Sequence, residues 1–172
     1  MSSLNARQRS DLMAELAGLR RFCLSLTGAA ADADDLLQST VERMLEKGMP
    51  EDAHTAKWVY RVCKNIWIDD LRSRDVRQRH VQTAQAAQAA EEPEQAPSAE
   101  AQAGGAEHLA AVNQAVMRLP PEQRLALMLV AVDGKSYAEA ADILQVPIGT
   151  IMSRIARARR HLLDDRDLLE HR

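Results

Sequence analysis

Near the end of the chain, the segment Ile148–Leu163 holds four arginines and no acid. Ile151, Ile155, Ala158 and Leu162 recur at helical spacing and are expected to turn inward. Thr150, Ser153, Arg154, Arg157 and Arg160 then point largely outward. A guanidinium can bond guanine O6 and N7 together, or grip a phosphate. Hydroxyls reach phosphates or base edges. This is the chemistry of recognition, not of bond breaking. The chain offers no glycine-rich phosphate loop and no Ser/His/Asp arrangement, and the five histidines have no catalytic neighbours. No His/Cys cluster has the spacing of metal ligands. The expectation is therefore a non-enzyme with no metal, no cofactor and no small-molecule substrate.

A second set of cations lies earlier, in the stretch TAKWVYRVCKNIWIDDLRSRDVRQR. Lys57, Arg61 and Lys64 share one side of a helix, and Arg72, Arg74, Arg77 and Arg79 extend the charge. Trp58, Tyr60 and Trp67, three of the chain's five aromatics, are interleaved with them. Aromatics among cations suit unpaired nucleic acid, where bases stack on rings and cations follow phosphates. Tryptophans at helical spacing also serve as core beneath solvated arginines. The residues alone leave both readings open. Cys23 and Cys63 read as small buried apolar residues, with a redox pair as the lesser alternative.

Helices must position both sets. The first is expected from about Gln8 to Thr27, with Leu12, Leu16, Leu19 and Cys23 inward and Gly28 as its stop. The second begins near Asp32, where Asp32, Asp34 and Asp35 favour the positive helix end. Leu36, Leu37, Val41, Met44 and Leu45 supply its apolar face, and Gly48 and Pro50 close it. The third runs from about Thr55, as N-cap, to Gln78, with Val59, Val62, Cys63 and Ile66 toward the core. Later helices are expected over Glu107–Leu119, Glu122–Val132, Tyr137–Leu144 and Ile148–Leu163. Ser136 and Glu139 form a capping box for the penultimate helix. That short helix carries Ala138, Ala140 and Ala141, and the turn Gln145-Val146-Pro147 leads to the last one. Its small residues permit close approach, and the pair has helix-turn-helix proportions.

Between the two sets, residues 82–106 contain no Lys, Arg, aromatic or β-branched aliphatic residue. Such a stretch cannot bury enough apolar surface to offset its ordering entropy. The chain thus reads as all-α: two small helical domains, 1–81 and 107–172, joined by a flexible linker. Extended, that linker reaches roughly 80–90 Å, or about two turns of DNA. The 172 residues carry a net charge of −3, low for a protein that binds DNA unaided. No apolar run spans a bilayer and no secretory h-region opens the chain, so a cytoplasmic location without membrane insertion is expected.

Residues 119–162, from LPPEQRLALMLV through GKSYAEAADILQVPIGTIMSRIARARRHL, resemble region 4 of extracytoplasmic-function (ECF, group IV) sigma factors of bacterial RNA polymerase. The markers are Leu119-Pro120, Gln123-Arg124, Ser136-Tyr137, Glu139, Ala141, Gly149-Thr150, Ser153-Arg154 and Arg157-Ala158-Arg159. The resemblance implies that Thr150, Met152, Ser153, Arg154, Arg157 and Arg160 read a −35 promoter element. Met152 departs from the Lys or Arg frequent there: a thioether cannot donate to guanine, so the contact is either lost or replaced by apolar contact with a thymine methyl. Asp32-Ala33-Asp34-Asp35-Leu36-Leu37-Gln38 is similar to the family's clamp-binding helix, which implies polymerase contacts at Asp34, Asp35, Gln38 and Glu42. Ser39 departs from the acid common after that glutamine. The third helix looks like the one that melts and reads the −10 element, implicating Lys57, Trp58, Arg61, Lys64, Asn65 and Arg72, with the loop Gly48–His54 holding the flipped base. The implied partners are core RNA polymerase, promoter DNA and an anti-sigma factor, and the implied role is transcription initiation of a regulon, stress-responsive in type.

Other function classes make different demands. A freestanding repressor or a response-regulator output domain needs a dimerisation element or a receiver domain, and neither is evident in the sequence. A protein-only helical adaptor has no use for an arginine face at Arg154 and Arg157. Two weak DNA readers on one tether gain effective concentration when both sites lie within reach.

Overall fold

A computed structural model describes residues 4–85 and 105–165. Its helices are α1 (Ala6–Thr27), α2 (Ala30–Lys47), α3 (Thr55–Gln85), α4 (Gly105–Arg118), α5 (Pro121–Ala131), α6 (Tyr137–Leu144) and α7 (Ile148–Leu163). No strand occurs among the described residues. Of the expected linker, residues 82–85 close α3 and residues 105–106 open α4, while the remainder lies outside the described residues.

Local chemistry explains the helix ends. Asn5 and Gln8 form a reciprocal capping box at the start of α1. Gly28 ends that helix in the left-handed region at φ 76°, where a side chain is disfavoured. Two start signals fall elsewhere than the sequence suggests. α2 begins at Ala30, ahead of its acids, with no side-chain cap. Thr55 is the first residue of α3 and not its N-cap: its buried hydroxyl donates to Asp11 at 3.5 Å, and His54 O accepts the first helical bond, from Trp58 N. Leu45, expected inward, is exposed because the core face of α2 runs through Ala33, Leu36, Thr40 and Met44.

The α6 capping box forms as expected. Glu139 N donates to Ser136 Oγ at 3.2 Å, and Ser136 N donates to Glu139 Oε2 at 2.8 Å. Ser136→Ala is expected to cost about 1 kcal/mol, read as a lowered urea midpoint with unchanged slope.

α1, α2 and α3 pack on one another, and α5, α6 and α7 form a second group. The groups also meet: α3 lies against α6, and α1 against α5 and α4. One hydrophobic cluster runs through both, from Leu19, Phe22 and Val59 to Leu129, Ile143 and Ile151. The structure is therefore a closed arrangement of the two modules.

Candidate nucleic-acid interface

α7 carries the first set of cations, and α6 packs beneath it. Ala140, Ala141, Ile143 and Leu144 bury the inner side of α6, which lets α7 pack close. Gln145 takes a left-handed conformation at φ 56°, ending α6 and turning the chain toward Pro147. Ile151, Ile155 and Ala158 fix the inner side of α7. Leu162 is half-buried behind them. No side chain caps the α7 N-terminus at Pro147. Its first amide groups and the helix dipole therefore favour an anion there.

The outward residues are not equivalent. Arg157 and Arg160 are exposed, as is Met152, while Thr150 and Ser153 are half-buried. Ser153 Oγ donates to Thr150 O at 3.0 Å. Arg154 behaves differently: its side chain is only 18% exposed, and Nη2 lies 2.9 Å from Glu122 Oε2 at the head of α5. It is folded back within its own module, where it ties the second turn of α7 to the first turn of α5.

The second set sits on α3 and faces α6. Lys57 Nζ lies 2.7 Å from one Asp142 oxygen. Arg61 Nη2 lies 2.6 Å from the other, and also donates to the Asp142 backbone carbonyl at 2.9 Å. Arg61 Nε reaches the same carbonyl at 3.2 Å. The Lys57 bond comes first among the causes that hold the Asp142 carboxyl below its ordinary range. Lys64 is half-buried, and burial followed by the Arg61 charge lowers its pKa. Asn65 and Arg72 are exposed, with Arg72 Nη1 3.8 Å from Asp69.

The aromatics divide. Trp58 is half-buried and lines a cavity of about 180 Å³ with Arg43, Lys47, Val62, Asn65 and Asp69. Tyr60 and Trp67 are taken into the core, Tyr60 edge-on to Phe22 at 5.3 Å between centroids. Of the three, only Trp58 retains a surface on which a base can stack. Cys23 and Cys63 are buried with sulfurs 3.6 Å apart, and that contact together with burial pushes the Cys63 thiol well above its ordinary range.

The residues expected to meet polymerase share the outer side of α2. Asp34, Asp35, Gln38 and Glu42 are all exposed. Arg20 Nε holds Asp34 at 2.8 Å, and Gln38 Nε2 donates to Glu42 at 2.9 Å. Among the described residues no group of three His, Cys, Asp or Glu could hold a metal, and no helix is long and apolar enough to cross a membrane.

Three residues join the modules in a way the sequence did not indicate: Arg124, evident there only as a region 4 marker, Asp133 and Asp142. The Tyr60 hydroxyl lies beside the Asp133 carboxylate, just past the end of α5, and Lys135 Nζ sits 4.9 Å from the Tyr60 ring centre. A side chain at Gly18 would meet this pair, its Cβ 3.0 Å from the Tyr60 oxygen and 3.3 Å from Asp133 Oδ1. Burial raises the Asp133 pKa. The folded state therefore favours the neutral carboxyl. The stability this confers is full below the ordinary carboxylate value and is lost as pH rises through the raised one. Asp133→Asn keeps an acceptor for Tyr60 and removes the buried charge. It is expected to be at least as stable as the parent at pH 7, by up to about 1 kcal/mol, with a shallower dependence on pH in thermal melts.

Residues 12–77 match the model of Sigma-70 region 2, and residues 109–162 match that of Sigma-70 region 4. The ECF RNA polymerase sigma factor EcfG of Rhodopseudomonas palustris is 35% identical over 158 residues, which span 90% of this chain and 82% of the relative. The chain belongs to the ECF sigma factors. ECF sigma factor SigC of Mycobacterium tuberculosis is 33% identical over 84% of this chain and 75% of its own length. A co-crystal structure of the sigma factor RpoE with the anti-sigma factor NepR, from Bartonella quintana, is similar at TM-score 0.66 and 29% identity, covering 94% of this chain and 96% of that one. As an ECF sigma factor, this protein is an alternative sigma factor, a transcription initiation subunit that works with core RNA polymerase on promoter DNA. The region 2 match falls on α1–α3, and the region 4 match on α4 together with the α5–α7 group.

Proposed function

We propose that this ECF sigma factor is of the group IV type, acts in the cytoplasm, and reads its promoter at two points. α7 enters the major groove of the −35 element through Thr150, Met152, Ser153, Arg157 and Arg160, with Arg154 joining once it leaves Glu122. α3 engages the −10 strand through Lys57, Trp58, Arg61, Lys64, Asn65 and Arg72. Asp34, Asp35, Gln38 and Glu42 meet the polymerase clamp. The functional division is 1–81, a tether at 82–106, and 107–172. An anti-sigma factor controls the protein, a reading supported by the NepR-bound structural relative.

The observation that carries this reading is the two-sided α7, apolar against α5 and α6 and arginine-rich outside, on the far side of a tight turn. Its neighbour Asp142 occupies Lys57 and Arg61 in the closed arrangement. The closed form therefore withholds two of the −10 cations, and core polymerase must separate the modules before both elements are read.

The test is transcription with core polymerase on a randomised promoter library, beside gel shift without polymerase. The expected result is one promoter class with spaced −35 and −10 elements, and weak duplex binding by the protein alone. Tight, specific duplex binding without polymerase, together with no selected promoter, would overturn the assignment.

A further inference from the structure

The outer side of α7 is divided lengthwise. Arg154 and Arg157 run along one edge and line a crevice with Ile68, Leu71 and Arg72 of α3. The other edge carries Ile148, Met152 and Ala156, each four residues from the next, and this row ends on Arg160. Positions four apart form one slowly drifting ridge on a helix. Ile148 is 50% and Met152 54% exposed, and Ala156 is exposed as well. A Cβ built on Gly149, beside this ridge, meets nothing within 4 Å. An apolar ridge thus lies in the open at the leading end of the helix, with the exposed Arg159 and Arg160 one turn beyond Ala156.

The occupant must be a polyanion that carries apolar groups, because α7 has four arginines and no acid. Duplex DNA meets that description in one way. Among the four base pairs, the major groove offers a single apolar group, the 5-methyl of thymine, next to phosphates and guanine edges. We infer that Ile148, Met152 and Ala156 form a methyl-reading ridge that selects thymine within the −35 element, while Arg157 and Arg160 hold guanine edges or phosphates. This rests on the placement of α7 in the major groove proposed above. It also explains how Met152 can stand at the groove without a donor: it selects by fit and desolvation, where a lysine or arginine would select guanine.

The experiment uses holoenzyme, the full chain with core polymerase, on a promoter taken from the randomised library. Each −35 thymine on either strand is replaced in turn by deoxyuridine, which removes only the methyl group. Affinity is expected to fall about fourfold at one or two positions, the worth of one buried methyl group. Met152→Ala is expected to bind the thymine and deoxyuridine promoters equally. Met152→Arg is expected to shift the selected base at that position toward guanine. Met152 is exposed, so these variants test the groove and not the fold. Equal binding of deoxyuridine and thymine at every −35 position would overturn the methyl-reading ridge while leaving the groove placement intact. So would a selected −35 element without thymine on either strand, or a Met152→Ala variant that loses polymerase or protein binding and keeps its preference for thymine. A library that selects a −10 but no −35 element would overturn the groove placement itself.

Discussion

Asp142→Lys is expected to open the free protein. In the closed form one carboxylate answers two cations, Lys57 at 2.7 Å and Arg61 at 2.6 Å. All three side chains remain partly exposed, so solvent screens the contact. Removing the charge alone, as in Asp142→Asn, should cost about 1 kcal/mol, or roughly fivefold in the closing equilibrium. Lysine adds a third cation beside two others and turns attraction into repulsion, for about 2 kcal/mol in total, or roughly thirtyfold. Small-angle scattering or energy transfer between dyes on α2 and α7 reads the separation. Binding of a single-stranded −10 oligonucleotide by the free protein should rise in parallel, because Lys57 and Arg61 are released. Arg61→Glu combined with Asp142→Lys restores one attractive pair but leaves Lys57 facing a lysine and the Asp142 carbonyl without its donors, so it is expected to recover compaction only in part. Unchanged dimensions in Asp142→Lys would show that the carboxylate does not hold the modules together.

The pH dependence has a definite sign. The Asp142 carboxyl is held below its ordinary range, chiefly by Lys57. Its contribution is therefore present above the ordinary carboxylate value and is lost as pH falls through the depressed one. Asp133 acts in the opposite direction, since burial favours its neutral form. Closing in the Asp142→Asn variant should lose the acid-side decline and keep the Asp133 response.

Local rules made much of this legible. The Ser136 and Glu139 capping box, the bounds of α6 and α7, and the inward set Ile151, Ile155 and Ala158 follow from spacing and cap chemistry, which act within a few residues. Contacts between modules do not. Arg61 and Asp142 are 81 residues apart, and Arg124 and Leu26 are 98 apart. Nothing in a sequence marks one aspartate as the partner of a distant arginine. Arg154 shows the same limit at shorter range. Its type and helical position suit DNA, yet Glu122, across the helix-turn-helix, holds it in the closed form. Trp67 and Tyr60 matched the pattern of a stacking surface and proved to be core, because the face of α3 that carries them is covered by α1 and the second module. Met152 is the reverse case. Its chemistry lacks a donor for guanine, and its exposure leaves the thioether free for the apolar contact proposed above.

Arg124→Ala is expected to be the most destabilising single change at this interface. Arg124 projects from α5 against Trp67, its guanidinium carbon 5.6 Å from the ring centre. Nη1 donates to Leu26 O near the end of α1 at 2.9 Å. Nη2 donates to Met117 O and, at 3.2 Å, to Leu119 O, at the end of α4. Helix ends leave their last carbonyls without intrahelical partners and carry partial negative charge. One planar cation thus ties the ends of α1 and α4 to α5. Burial lowers its pKa, which records what desolvating this charge costs. Alanine leaves those carbonyls and the Trp67 face unanswered, so a loss of about 3 kcal/mol is expected from the urea midpoint. Lysine retains the charge but cannot span three acceptors from one plane, and should recover less than half of that. Trp67, only 3% exposed, reports where the loss falls. In a Trp58→Phe background, its emission should shift red at lower urea than the loss of helical circular dichroism, because the contact between modules gives way before the helices do. Coincident transitions in Arg124→Ala would place the cost inside the second module, on Met117 and Leu119. Arg124 would then be a brace for α4 and α5, and closure would rest on Asp142 and the Tyr60–Asp133 pair.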